Sequence, residues 1–103
     1  MATLSTHVLD TAQGRPAIGL RVELTSAGGG PVAAGVTDAD GRVAPLGGDL
    51  AAGSYTLRFD TGSYLGADAF YPEVVVTFAV GADEHYHVPL LLSPFGYSTY
   101  RGS

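Results

Sequence analysis

Gly and Pro punctuate this chain so densely that long regular elements are excluded. Fifteen Gly and six Pro fall among 103 residues, and each weakens or ends a helix or demands a turn. Between these breaks the apolar residues recur with a period of two, and few pieces carry a helical period. In Ser54-Tyr55-Thr56-Leu57-Arg58-Phe59-Asp60, Tyr55, Leu57 and Phe59 share one face while Thr56 and Arg58 share the other. Within 73–80, Val74, Val76, Phe78 and Val80 form one face. Val75, Thr77 and Ala79 form a second, still apolar face, the pattern of a strand covered on both sides. Further strand candidates are 4–9, 20–26, 32–37, 42–45, 85–92 and 97–101.

Turn signals separate these runs at Gln13-Gly14, Gly28-Gly29-Gly30-Pro31, Asp40-Gly41 and Ser93-Pro94-Phe95-Gly96. Asp40-Gly41 suits a tight hairpin, because Gly accepts positive φ and Asp tolerates it. Residues 61–69 suit one short helix, capped by Thr61 or Ser63, with Tyr64 and Leu65 turned inward. About eight short strands with one helical turn specify an all-β, two-sheet β-sandwich. With 46% hydrophobic and 15% charged residues the chain folds, and residues 1–103 are expected to form one domain with a modest core.

The charge balance removes whole classes of function. Ten acidic residues face five basic ones, a net charge of −5, and all of the basic residues are Arg. Such a chain builds no basic patch, so neither nucleic acid nor an anionic membrane is expected as a partner. Without Lys there is no Schiff-base chemistry and no Walker-type phosphate site. Without Cys there are no disulfides, thiolate nucleophiles or Cys-based zinc sites. The apolar runs are far shorter than the ~18–20 residues of a membrane span, and no signal-peptide pattern opens the chain. A soluble, cytoplasmic protein is expected.

Three histidines are the candidates for chemistry. His85 and His87 are two apart on one strand and emerge on the same face. If Tyr86, Val88, Leu90 and Leu92 enter the core, then His85, His87, Pro89 and Leu91 share the other side. The same alternation turns His7 and Leu9 outward if Val8 is buried. A face mixing His, Pro and Leu has the composition of one covered by another subunit. A lone surface His is ordinarily a tolerated polar residue, but a pair in fixed register points to a site.

Several chemistries compete for these residues. A three-histidine metal site lacks both Cys and an H-E-x-x-H motif to strengthen it. Asp38-Ala39-Asp40-Gly41 resembles the start of a calcium loop, but no Glu stands where the last ligand belongs, and an ordinary turn is the better reading. Ser-His-Asp catalysis lacks a G-x-S-x-G elbow. Direct attack by water fits better, with a neutral His as general base and Arg42 stabilising a developing oxyanion. The C-terminal Tyr97-Ser98-Thr99-Tyr100-Arg101-Gly102-Ser103 carries Tyr and Arg to the last position and is either disposable or tucked into a site.

Longer stretches resemble a known family. Ser5-Thr6-His7-Val8-Leu9-Asp10 with Gly14-Arg15-Pro16-Ala17, then Thr37-Asp38-Ala39-Asp40-Gly41-Arg42 and Phe70-Tyr71-Pro72-Glu73-Val74, are similar to segments of the 5-hydroxyisourate hydrolases. The most distinctive matches are Glu84-His85-Tyr86-His87-Val88-Pro89-Leu90-Leu91-Leu92-Ser93-Pro94 and the closing Tyr100-Arg101-Gly102-Ser103. The resemblance implies a transthyretin-like sandwich with one short helix, assembled as a homotetramer around a channel. It implies a cofactor-free, metal-free hydrolase that opens 5-hydroxyisourate to 2-oxo-4-hydroxy-4-carboxy-5-ureidoimidazoline. His7, Arg42 and His87 would be catalytic. His7, Arg42, Tyr100, Arg101, Gly102 and Ser103 would contact substrate. The alternative on the same fold is a non-catalytic small-ligand carrier like transthyretin.

Overall fold

The computed structural model describes residues 2–102. Ser103, expected at the substrate, lies outside the described residues. Nine strands, one short α-helix and a 3-10 turn follow in order. They are β1 (Thr3–Asp10), β2 (Arg15–Pro16), β3 (Arg21–Ser26), β4 (Pro31–Val36), β5 (Arg42–Val43) and β6 (Gly53–Phe59). After β6 come α1 (Thr61–Leu65), the 3-10 turn, β7 (Val74–Val80), β8 (His85–Ser93) and β9 (Gly96–Thr99). One sheet has the order β2-β1-β8-β9, with β5 also paired to β1, and the other has the order β4-β3-β6-β7. The expected two-sheet sandwich is observed.

Alternation builds the core as read from the sequence. Leu4 and Val8 of β1 and Tyr86, Val88, Leu90 and Leu92 of β8 enter from one sheet. Val22, Leu24, Tyr55, Leu57, Phe59, Val74 and Val80 enter from the other. Each such side chain contributes about 1.5–3 kcal/mol when fully buried. Thr6 and Asp10 share the inward face of β1 and are buried polar groups that must be satisfied. The Thr6 hydroxyl donates to the Val88 carbonyl at 2.7 Å. Asp10 accepts from the Gln13 backbone N–H at 3.0 Å and from the Tyr64 hydroxyl at 2.7 Å. Burial, and then the Asp10 hydrogen bond, push the Tyr64 phenol up to about 12, so it remains a donor.

Three local expectations change. The cap of α1 is Asp60, whose carboxylate accepts from the Ser63 N–H at 3.2 Å and its hydroxyl at 2.7 Å. Thr61 is instead buried, donating to the Tyr71 carbonyl; a carboxylate just outside the helix outcompetes a hydroxyl already within its first turn. Asp40-Gly41 does form a tight turn, but it joins strands of different sheets rather than a hairpin. The second face of β7 is open, with Val75 exposed, because no element among the described residues covers that side of the sheet. Tyr64 and Leu65 do pack against the core, as expected.

The Asp10–Tyr64 bond ties the helix to the far end of β1 and yields a stability prediction. Tyr64→Phe removes a hydrogen bond to a buried carboxylate and should cost about 1.5–3 kcal/mol. Urea unfolding monitored by circular dichroism measures this, and a midpoint equal to that of the unmodified protein would contradict the assignment.

Candidate active site

The outward face of β1 and β8 carries the polar groups. The two strands run parallel, with Thr3 beside His85, Ser5 beside His87, and His7 beside Pro89. Because the alternate residues form the core, these side chains stand together on the opposite face. On the other side of β1, β5 pairs Arg42 with His7. Cross-strand partners share a face, so the guanidinium and the imidazoles are delivered to the same surface.

A compact turn aims Arg42. The Asp38 carboxylate accepts the backbone N–H groups of Asp40 at 2.9 Å and Arg42 at 3.0 Å. Those two bonds, with the positive charge of Arg42 adding to them, hold its carboxyl below the usual 3.8. Gly41 adopts φ of +77°, and a Cβ there would stand 2.5 Å from the Val8 carbonyl oxygen. Only Gly lets the turn approach β1 closely enough for the Val8 N–H to donate to the Gly41 carbonyl at 2.8 Å.

Ser5, Arg42, His85, His87, Tyr100 and Gly102 line a concavity of about 310 Å³. His87 is half-buried there. Burial comes first in pushing its pKa below the usual 6.5, followed by the positive charge of Arg42, against a smaller opposing effect of the Ser5 backbone. A neutral imidazole at neutral pH results. Its Nδ1 lies 2.8 Å from the Ser5 hydroxyl, and the same hydroxyl lies 2.8 Å from His85 Nε2. His85 Nδ1 in turn lies 2.7 Å from the Thr3 hydroxyl.

The C-terminal tail closes one wall. Thr99 donates to the Pro89 carbonyl at 2.7 Å, and the Gly102 N–H donates to the His87 carbonyl at 2.8 Å. A Cβ on Gly102 would meet His87 Cδ2 at 2.5 Å, so the backbone lies directly on the imidazole ring. Arg101 faces the flank instead, hydrogen-bonded to Glu84 and stacked over the Tyr86 ring at 4.6 Å.

Of the residues expected from sequence, Arg42, His87, Tyr100 and Gly102 meet at the concavity. His7 lies on the same face beside Arg42 but does not line the hollow, and Arg101 holds the tail from outside. Ser5 and Thr3 were missed. Their only sequence signal is the alternation Thr3, Ser5, His7, which acquires meaning once β8 is known to run alongside. Among the described residues, no group of three or more His, Asp or Glu side chains is placed to hold a metal ion. No helix among them is long and apolar enough to cross a membrane.

The HIUase/Transthyretin family profile matches residues 4–102. The 5-hydroxyisourate hydrolase of Caulobacter vibrioides is 46% identical over 115 aligned positions, covering 100% of both chains. The solved structure of Klebsiella pneumoniae 5-hydroxyisourate hydrolase superimposes with a TM-score of 0.92 at 42% identity, covering 100% of both chains. Sea bream transthyretin in complex with thyroxine follows with a TM-score of 0.88 at 34% identity, covering 96% of this chain and 93% of its own. The chain therefore belongs to the HIUase/Transthyretin family, and within it to the 5-hydroxyisourate hydrolases.

Proposed function

We propose that this chain, acting as one domain, hydrolyses 5-hydroxyisourate to 2-oxo-4-hydroxy-4-carboxy-5-ureidoimidazoline in urate breakdown, by attack of water on a ring amide carbonyl. The observation that carries this reading is a half-buried His87 sharing one concavity with the Arg42 guanidinium, surroundings that lower its pKa and favour the neutral imidazole. A neutral imidazole accepts a proton from water as the water attacks. The guanidinium polarises the attacked carbonyl and stabilises the oxyanion that develops on it. His7, beside Arg42 on β1, helps to place the water. Tyr100 hydrogen-bonds the substrate from the rim. Arg101 serves the site by clamping the tail through Glu84 and Tyr86. No cofactor or metal takes part in this scheme.

The same reading places the protein in a homotetramer in the cytoplasm. Leu9 and Leu91 share the outward face with the histidines and stay partly exposed, an apolar border suited to a second copy of the chain. A site bordered by that copy would bring His7 into contact with substrate although His7 does not line the hollow of one protomer. The cytoplasmic placement is supported by a fold that relies on no disulfide.

Generating 5-hydroxyisourate from urate in situ and following its absorbance gives the direct test. Faster decay with a single-handed product, unchanged by exhaustive chelation, is expected. Unchanged decay with saturable binding would instead indicate a carrier, like the thyroxine-bound transthyretin. His7→Ala, Arg42→Ala and His87→Ala should each lower kcat/KM by ~10²–10⁴-fold, the range for losing a general base or an oxyanion stabiliser.

The pH profile carries a sign. With its pKa below 6.5, His87 is still a base at that pH, and kcat/KM should fall only as the pH drops through the lowered value. Arg42→Gln removes a positive neighbour, raises the His87 pKa and should move the acid limb of the residual activity to higher pH. A limb moving to lower pH would remove Arg42 as the electrostatic partner. For assembly, Leu91→Arg should split the tetramer and lower activity together, as read by light scattering and turnover. Smaller species with full turnover per chain would place the site within one subunit.

A further inference from the structure

We propose that Ser5 and His85 form a proton relay with His87, in which Thr3 sets the direction, so that His87 Nε2 is the bare, base-competent nitrogen and exposed His85 receives the proton. This rests on the reading of His87 as general base and extends it to two residues that need not touch substrate. They are positioning residues.

Hydrogen counting leaves few possibilities. The Ser5 hydroxyl has one hydrogen and stands 2.8 Å from a ring nitrogen on either side. It can accept from both, but it links the two imidazoles for proton transfer only when it donates to one and accepts from the other. In one polarity His87 Nδ1–H donates to Ser5, Ser5 donates to His85 Nε2, and His85 Nδ1–H donates to Thr3. His87 then presents an unprotonated Nε2, for which no protein partner stands among the described residues. In the reverse polarity Thr3 donates to His85 Nδ1, and His87 presents Nε2–H, which accepts nothing from water. Only the first polarity allows His87 to act as a base. Ser5 is 5% exposed, so water does not readily substitute for its two bonds.

The relay also moves charge to where it is solvated. When Nε2 takes a proton from the attacking water, the O–H bond breaks, an N–H bond forms, and hydroxide adds to the carbonyl carbon. The Nδ1 proton passes to Ser5 as the Ser5 proton passes to His85 Nε2. His87 is neutral again, now as the Nε2–H form, and His85 carries the positive charge. Reversal of these transfers returns one proton through Nε2 to the departing amide nitrogen, which balances the hydrolysis. The groups around His87 favour this exit. Arg42 from β5 and His7 from β1 oppose a charge there, only the Ser5 backbone favours one, and Tyr100 from the tail adds no carboxylate. His85 is exposed to water and lies beside the neutral Thr3 hydroxyl.

Nitrogen-15 NMR of the histidine rings in the substrate-free protein tests the tautomer without relying on any activity. The expected spectrum shows His87 with a protonated Nδ1 and a bare Nε2, reverting towards the Nε2–H form in Ser5→Ala. An Nε2–H tautomer in the unmodified protein would overturn the relay even if hydrolysis is observed. The expected tautomer in a protein that does not accelerate hydrolysis would defeat the hydrolase reading alone. His85→Gln, at an exposed position, should lower kcat by about tenfold or more with KM within twofold. A solvent-isotope proton inventory should be curved in the unmodified enzyme and linear in His85→Gln. Unchanged kcat together with an unchanged inventory in that variant would reject His85 as the proton acceptor.

Discussion

The parallel pairing of β1 with β8 sets both the core and the site. Thr3 through Asp10 lie opposite His85 through Leu92 without a break in register. Leu4, Thr6, Val8 and Asp10 therefore share the inward side with Tyr86, Val88, Leu90 and Leu92, and all are buried. A slip of one residue would carry His87 into the core and Val88 out of it, an exchange that the buried apolar area forbids. The Thr6–Val88 bond adds a polar check on the same register, since a slipped Thr6 hydroxyl would be buried unpaired. The specificity of the site is thus inherited from the hydrophobic core behind it.

Two glycines bring separate segments against this platform. Gly41 lets the turn carrying Arg42 lie on β1, and Gly102 lets the tail lie on the His87 ring; a Cβ at either would meet its neighbour at 2.5 Å. The two contacts do different things. The first delivers a positive charge that disfavours imidazolium at His87, and the second covers the imidazole and withdraws it from water. Both act in the same direction on the pKa, so the neutral imidazole is favoured by a turn and a tail that are remote from one another in sequence.

Much of this was legible before the fold. Period-two alternation in β6 and β8 identified the buried faces, and the pairing of His85 with His87 on one outward face followed from spacing alone. What sequence reading lacked was neighbourhood. It gave Asp40-Gly41 the role of a hairpin because Asp-Gly is a strong local signal, yet the flanking strands enter different sheets, a decision taken by tertiary packing. It assigned the helix cap to a hydroxyl within the first turn, where the carboxylate one residue earlier had the better geometry. It took Val75, Thr77 and Ala79 as covered because apolar composition cannot tell a face buried within the chain from one left open. Ser5 and Thr3 were invisible for the same reason: a hydroxyl becomes part of a histidine site only through the strand that lies beside it.

His85 and His87 show what a strand contributes to acid–base chemistry. Their side chains share a face, but the surroundings differ along the strand, one exposed and the other half-buried between Arg42 and Gly102. Ser5 on the neighbouring strand touches both. A helix sets same-face residues three or four apart, each on its own turn, whereas a parallel partner strand offers hydroxyls at the same two-residue spacing as the histidines. Thr3, His85, Ser5 and His87 can therefore form one continuous line of polar contacts without any bulge or strained residue. The sheet itself supplies the geometry that the proposed relay needs between a half-buried imidazole and an exposed one.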